Sequence, residues 1–103
     1  MNDIIIARKL ISIKDSANKR KIPFNMSFSK VKQLMTRKTC YYTGVKFDGH
    51  YVRSFDRVDN NLGYIDTNVV ACTVQINGFK ANLTIKAINM LTKKINTFIE
   101  KQK

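Results

Sequence analysis

The chain has 103 residues, of which 19 are lysine or arginine and 7 are aspartate or glutamate, so its formal net charge at pH 7 is +12. This length suits one domain, and the 44% share of hydrophobic residues excludes a disordered tail. The charge excess points to a polyanionic partner, with nucleic acid first and an anionic membrane second. The plain alternative is that the charge serves solubility alone.

Membrane insertion and secretion are not expected from this sequence. A spanning helix needs about 20 apolar residues, and no run here approaches that length. The opening MNDIIIARKL places an acid before a short apolar run, unlike a secretory signal peptide. Two cysteines, Cys40 and Cys72, are too few for a disulfide framework. We therefore expect a cytoplasmic protein with reduced thiols and no membrane partner.

The first part of the chain is predicted to be helical. Residues 3–20 form the first predicted helix, and Pro23 ends it because the residue before a proline avoids the helical conformation. Residues 24–28 alternate and should be extended, and Ser27 or Ser29 then caps a short second helix. The apolar stripe of the first helix, which we expect to face the core, is Ile6, Leu10, Ile13 and Ala17.

The second part is predicted to run as strand, loop, strand and helix. Gly44 and Gly49, with aromatic residues around them, suggest a hairpin before the first of these strands. The predicted ranges are 51–57 for the first strand, 59–68 for a turn-rich loop, 68–73 for the second strand and 74–82 for a short helix.

A last helix is predicted from a cap at Thr84 to about residue 100. Its apolar residues also recur at helical spacing, so we expect this face to pack in the core as well. They are Ile85, Ile88, Leu91, Ile95 and Phe98.

Several short motifs, taken in order, carry a resemblance to a known family. They are ANKRKIPF (17–24), CYYTG (40–44), SFDRVDNNLGY (54–64), TNVV (67–70) and NGFK (77–80). Together with the strand–loop–strand–helix order, they resemble the HNH nuclease family, and more closely a set of small phage and bacterial HNH-like proteins, over roughly residues 7–90.

The resemblance implies an α+β fold with a ββα-metal core. The chain would form a single HNH-like domain, in which an N-terminal helical part (1–38) and a C-terminal helix (83–103) wrap the ββα core (39–82). The family is similar in placing an Asp-His pair at the end of the first strand, an Asn in the loop, and a His or Asn on the helix.

The intervals between these positions assign the site residues. In the family the helix residue commonly follows the loop Asn by nine positions, and a Lys follows three further on. Asn68, Asn77 and Lys80 keep both intervals. The resemblance implies that Asp56 and Asn77 bind one Mg²⁺ or Mn²⁺, because hard cations prefer oxygen ligands. It also implies that Asn68 pins the loop and that Lys80 approaches phosphate.

Arg57 departs from the family pattern. It stands where HNH enzymes have the general-base histidine, and a protonated arginine is a poor base but a good bidentate donor to phosphate. Either another group transfers the proton, with Asp59 and His50 as candidates, or metal-bound water does so itself. Alternatively, the site is inert and the fold only binds nucleic acid.

Structural zinc is not expected. Many HNH proteins close this hairpin with two Cys-x-x-Cys knuckles, and the corresponding positions here are Cys40 with Thr43 and Thr73 with Ile76. One soft ligand of four is too few for a structural site. The residues expected to replace the metal by apolar packing are Val45, Phe47, Val69, Val70 and Phe79.

The sequence thus favours an HNH-like protein that binds DNA, with double-stranded DNA as the first expectation, and hydrolyses phosphodiester bonds with Mg²⁺ or Mn²⁺. Arg20, Lys21, Arg53 and the lysines of the last helix would add affinity that does not depend on base sequence. A homodimer is plausible, since one site cannot cut both strands at once. The alternatives are an HNH-derived DNA- or RNA-binding protein without hydrolysis, and a phage factor that binds a host protein.

Overall fold

A computed structural model of the protein describes residues 2–81 and 83–102. Helices and small sheets are both present in these residues, which confirms the α+β class. The helices are α1 (Asp3–Lys19), α2 (Phe28–Thr36), α3 (Val74–Ala81) and α4 (Ile85–Lys101). The strands are β1 (Phe24–Asn25), β2 (Arg53–Arg57), β3 (Tyr64–Ile65) and β4 (Val69–Thr73).

Strands β2 and β4 form the antiparallel pair at the centre of the fold. Arg53 lies opposite Thr73, and Arg57 lies opposite Val69. The helix α3 begins directly after β4, so the strand–loop–strand–helix order predicted from the sequence is present within one or two residues of the expected bounds. The predicted hairpin before β2 is reduced to turns and one isolated bridge between Thr39 and Lys46.

The loop between β2 and β4 contains a short strand that the sequence did not predict. In it, β3 pairs in parallel with β1, with Tyr64 opposite Phe24. Gly63 makes this pairing possible, because a Cβ there would lie 2.4 Å from the carbonyl oxygen of Pro23. The same carbonyl accepts a hydrogen bond from the Tyr64 N–H at 2.8 Å. Two of the sequence motifs, KRKIPF and NNLGY, therefore meet in space.

The hydrophobic core lies where α1 and α2 pack against the β-strands. The predicted stripe of α1 is confirmed, since Ile6, Ile13 and Ala17 are buried, with Leu10 partly buried beside them. The helix α1 begins at a side-chain cap. Asn2 is its N-cap, and the Asn2 side chain accepts a hydrogen bond from the N–H of Ile4. The remaining buried members of the core are Met26, Val31, Leu34, Tyr64, Val69 and Ala71.

The prediction that the apolar face of α4 belongs to the core is wrong. No side chain of α4 is buried, and Phe98 is 65% exposed and Ile95 50%. The helical periodicity shows that one face is apolar, but it does not show what covers that face. The C-terminal helix therefore does not wrap the ββα unit.

A second prediction about packing is also wrong. Phe79 of α3 was expected to pack in place of zinc, yet it is 58% exposed.

Among residues 2–81 and 83–102, no helix has both the length and the apolar character that crossing a membrane would require.

Candidate functional site

A polar pocket of about 290 Å³ lies where the end of β2 meets α3 and the end of α1. The pocket brings together the four positions that the HNH-like motif singled out on β2 and α3, and it adds an arginine from the end of α1. The lining residues are Arg20, Phe55, Asp56, Arg57, Asn60, Tyr64, Asn77, Lys80 and Ala81.

Polar contacts between β2 and α3 position the centre of the pocket. Ser54 and Asp56 are two residues apart on β2 and so share one face of the strand. Asn77 and Lys80 are three residues apart on α3 and so share one face of the helix. The Asn77 Nδ2 donates to the Ser54 Oγ at 2.8 Å, and the Lys80 Nζ lies 3.3 Å from the Asp56 Oδ2. The two-residue spacing on β2 and the three-residue spacing on α3 therefore place these two contacts side by side.

Asp56 is a buried carboxylate with two partners on one oxygen. It is 6% exposed, and its Oδ2 accepts a hydrogen bond from the Tyr42 hydroxyl at 2.6 Å besides the contact with Lys80. Burial, followed by this hydrogen bond to Asp56, raises the pKa of Tyr42 above its usual value. The Lys80 ammonium also donates to the carbonyl of Arg57 at 2.9 Å. A buried carboxylate needs such partners, because an unpaired buried charge is strongly destabilising.

The two arginines of the pocket are held by the aromatic ring of Tyr64. The guanidinium carbons of Arg20 and Arg57 lie 5.6 and 5.4 Å from the ring centroid, and Arg20 donates a hydrogen bond to the Tyr64 hydroxyl. The Nη1 of Arg57 also donates to the carbonyls of Asn60 and Leu62, at 3.1 and 3.0 Å. These two bonds use only one of its three nitrogens, so Arg57 can order the loop and still donate to a ligand.

Asn68 closes the loop behind the pocket. Its buried side chain accepts from the N–H of Asp59 and donates to the carbonyls of Asp59 and Gly63, all at 3.0 Å. Because these bonds join both ends of the turn, they fix the path of the chain from β2 to β3. Among the described residues, the hydrogen bonds of the Asn68 side chain go to backbone groups, and Asn68 does not line the pocket.

The two candidate proton-transfer groups are not among the pocket residues. The Asp59 Oδ1 accepts from the N–H of Asn61 at 2.9 Å within the loop. His50 is exposed in the turn before β2, where its ring packs edge-on against Tyr51 at 4.6 Å. The structure therefore does not bring either side chain to Asp56.

Two of the predicted nucleic-acid-binding cations also lie elsewhere. Arg53 donates to the carbonyl of Leu34 at 2.7 Å and lies over the ring of Phe47 at 4.2 Å, and burial lowers its pKa. Arg53 thus ties α2 to the sheet. Lys21 is exposed just after α1, with a left-handed backbone φ of 56°.

The sequence did not single out Tyr42 and Tyr64 as site residues. Both belong to the motifs that carry the family resemblance, CYYTG and SFDRVDNNLGY. A tyrosine in such a motif was the available signal, but nothing in the sequence shows that Tyr42 reaches Asp56 across 14 positions.

The positions that correspond to the family's zinc knuckles are joined by hydrogen bonds. Burial alone would raise the pKa of Cys40, but bonds from Thr43 and from the backbone of Thr73 and Tyr42 outweigh it and lower the pKa. Burial, with the nearby Asp56 carboxylate, raises the pKa of Cys72 to about 12. In the part of the chain that the structure describes, no group of three or more His, Cys, Asp or Glu could hold a metal.

The donor set of the pocket fits a divalent cation only when a substrate shares it. Asp56 offers a carboxylate and Asn77 an amide oxygen, and both line the pocket. Mg²⁺ commonly takes one or two protein ligands and fills its remaining positions with waters and substrate phosphate oxygens. The residues therefore suit a cation shared with a phosphate and do not suit one held by protein alone.

Comparison with known proteins finds viral relatives. The chain is 35% identical over 86 residues to the "Uncharacterized 29.0 kDa protein in dda-modA intergenic region" of Enterobacteria phage T4, which covers 81% of this chain and 35% of that protein. It is 36% identical over 67 residues to "Uncharacterized protein R423" of Acanthamoeba polyphaga mimivirus, covering 65% of this chain and 12% of that protein. The chain thus spans about a third and about an eighth of these relatives. No protein-family model and no solved structure matches it.

Proposed function

We propose that this chain is an HNH-like nucleic-acid-binding protein that holds a backbone phosphate in the pocket between β2 and α3. One observation carries the proposal: Arg20, Arg57 and Lys80 line one pocket, in which Asp56 is the one carboxylate among the described residues. Because Asp56 is already paired with Lys80, the arginine charges remain for an anion.

The geometry of the two arginines suits an oxyanion such as a phosphate. Both guanidinium groups pack against Tyr64, so less side-chain entropy is lost when a ligand binds. A guanidinium donates two parallel hydrogen bonds, which match the oxygens of a phosphate. The net charge of +12 would add long-range attraction to a polyanion, most strongly at low salt.

Double-stranded DNA is the proposed nucleic acid, since the HNH-like motifs point to it. The viral relatives support a place of action in the cytoplasm of an infected cell.

A second candidate function is metal-dependent DNA cleavage, and the shared location of Asp56 and Asn77 in the pocket favours it. These two residues would hold Mg²⁺ or Mn²⁺, which would supply stabilisation of negative charge at the scissile phosphate. Arg20 and Arg57 would orient that phosphate. No described side chain of the pocket replaces the family's histidine as a base, so binding without cleavage is the function with more support.

Lys80 links the two functions. Its ammonium now contacts the Asp56 carboxylate and the Arg57 carbonyl. A phosphate in the pocket would compete for the same ammonium, and each shift of Lys80 towards the phosphate would leave Asp56 more available to a cation. The protein would then bind the cation more tightly after nucleic acid has bound.

Gel retardation and plasmid nicking, run on the same preparations, test both functions. The native protein, Arg57→Ala, Asp56→Asn and the exposed-site control Lys46→Ala are compared with Mg²⁺ or Mn²⁺. Retardation that Arg57→Ala weakens and Lys46→Ala retains supports phosphate binding, and native protein that fails to retard DNA refutes it. Nicking that requires Asp56 establishes an endonuclease, whereas retardation without nicking establishes the binding function alone.

A further inference from the structure

A second cavity, of about 410 Å³, adjoins the pocket between β2 and α3. Residues 58–61, in the loop after β2, line one side of it, and residues 83–85 and 88, around the start of α4, line the other. We name it the side cavity. Asn60, Lys80 and Ala81 line both the side cavity and the pocket. A ligand held in the pocket can therefore extend into the side cavity.

The two cavities differ in charge. Two arginines and Lys80 line the pocket together with one carboxylate. Among the described residues that line the side cavity, the charged groups are Asp59 and Lys80, and Lys80 is already paired with Asp56. The Asp59 carboxylate repels an anion. The side cavity therefore suits a neutral group, whereas the pocket suits a phosphate.

One wall of the side cavity is apolar. It is formed by Val58, Leu83, Ile85 and Ile88. Val58 and Ile85 are 37% and 58% exposed, so a flat ring that packed against this wall would remove part of their surface from water. Removing apolar surface from water favours binding. This wall therefore offers a contact to the face of a ring.

The loop side of the side cavity is polar. Asp59, Asn60 and Asn61 line it. The Asp59 Oδ1 accepts from the N–H of Asn61 at 2.9 Å, and a carboxylate accepts further hydrogen bonds through its two oxygens. Asparagine amides both donate and accept. A nucleobase has the matching chemistry, because it is a flat ring with a hydrogen-bonding edge.

We propose that the side cavity holds an unstacked nucleobase, which belongs to the nucleotide whose phosphate lies in the pocket. A base in a paired duplex is stacked, so it reaches a cavity of the protein only when it is unpaired or flipped out. The preferred ligand is therefore duplex DNA that contains an unpaired nucleotide. This inference rests on the phosphate binding proposed above, and it names the form of DNA that the pocket recognises.

The carboxylate of Asp59 also predicts which base binds better. A carboxylate only accepts hydrogen bonds, so it favours a base edge with an amino group, such as the N4 amino group of cytosine. Uracil has a ring of the same size, but a carbonyl oxygen takes the place of that amino group. We therefore expect the side cavity to prefer cytosine to uracil.

Fluorescence anisotropy with labelled DNA duplexes that differ in one nucleotide tests the inference. The native protein should bind a duplex with one bulged cytosine at least about tenfold more tightly than the fully paired duplex, because no base pair has to be broken. A bulged uracil should bind about fivefold more weakly than a bulged cytosine. A bulged abasic nucleotide keeps the extra phosphate without a base, so its affinity should stay within about threefold of the paired duplex.

Substitutions on the two sides of the side cavity have matched controls. Ile85→Ser should lower the preference for bulged cytosine over the paired duplex by about fivefold, because it removes apolar contact with the ring. Met90→Ser, which is on α4 outside the side cavity and 60% exposed in the native protein, should retain the preference. Asp59→Asn should bring cytosine and uracil within about twofold of each other, since an amide both donates and accepts. Its change in net charge cancels in that ratio.

The outcomes separate this inference from the phosphate binding on which it rests. An abasic bulge that binds as tightly as a bulged cytosine overturns the inference, because the protein would then recognise the shape of the bulge. Equal affinity for paired and bulged duplexes overturns it too, as does a preference that Ile85→Ser and Asp59→Asn both leave unchanged. In each case phosphate binding stands. If the native protein binds none of these duplexes, phosphate binding itself is refuted, and this inference with it.

Discussion

The charged pocket and helix α4 are neighbours in the chain, but they are stabilised in different ways. In the pocket, Asp56 is buried and has contacts with Tyr42 and Lys80, and α3 is fixed on β2 by side chains from both elements. In α4, a strongly apolar face meets no core. Within the described residues, the charged groups of the pocket are therefore paired with one another, whereas the apolar side chains of α4 are left uncovered.

The largest expected effect comes from the same substitution on two helices. Ile6→Ala in α1 should lower the free energy of unfolding by about 4 kcal/mol, because it opens a cavity in the core. Ile95→Ala in α4 should change it by less than about 0.5 kcal/mol, as for exposed positions. Urea unfolding of both variants measures the difference. Equal losses would show that α4 packs in the core in solution.

A second test concerns the hairpin beside the pocket, where hydrogen bonds occupy the positions of the family's zinc ligands. Thr43→Cys, Thr73→Cys and Ile76→Cys, combined with the native Cys40, should create a four-thiolate site. Zinc at 100 times its Kd would then raise the free energy of unfolding by about 2.7 kcal/mol. The absorption spectrum of bound Co²⁺ shows whether thiolates coordinate the metal. The control is Cys40→Ser in the same triple variant. A triple variant that binds no metal tightly would weaken the HNH resemblance.

A third test addresses the contact of Lys80 with Asp56. Lys80→Met should tighten Mn²⁺ binding to the DNA-free protein by about tenfold, or about 1.4 kcal/mol, because it removes the cation that neutralises the carboxylate. Electron paramagnetic resonance of free Mn²⁺ measures this affinity. Lys86→Met, on the polar side of α4, should leave it unchanged. If the Lys80 and Lys86 variants both match the native protein, the contact of Lys80 with Asp56 does not control the access of a cation to that carboxylate.

The smallest expected effect is in the titration of Tyr42. Its pKa is raised by burial and by the Asp56 carboxylate, so the neutral phenol contributes stability below its unfolded pKa of about 10. That stability is lost as the pH rises through the folded pKa. Absorbance at 295 nm should show a phenol that ionises above the usual pKa of about 10, and Tyr42→Phe should remove it. Native and Tyr42→Phe titration curves that differ only by a phenol of ordinary pKa would contradict the hydrogen bond to Asp56.

The parts of the site that the sequence predicted depend on short intervals. Asn77 and Lys80 are one helical turn apart, and Asp56 lies next to the end of a strand whose pattern is clear, so the motif and the periodicity placed them near one another. The order of β2, β4 and α3 was predictable for the same reason. These features are local in sequence, and local spacing determines them.

The remaining features depend on contacts between distant segments. Tyr42 reaches Asp56, and β1 pairs with β3 through the space that Gly63 leaves beside Pro23; neither contact follows from local spacing. The prediction that the apolar residues of α4 are buried was wrong, because an amphipathic pattern shows that one side of a helix is apolar but not what covers it. The difference between the pocket and α4 is visible only in three dimensions.

Phosphate binding by the pocket is tested most directly by fluorescence anisotropy with a labelled DNA duplex at several salt concentrations. For Arg20→Ala with Arg57→Ala, we expect an affinity about 100-fold lower, because each charge-assisted contact contributes about 1.5 kcal/mol or more. The slope of log affinity against log salt should become shallower by about 2. Lys38→Ala with Lys46→Ala removes the same charge outside the pocket. If the two double variants bind DNA equally, the pocket is not where the protein holds phosphate.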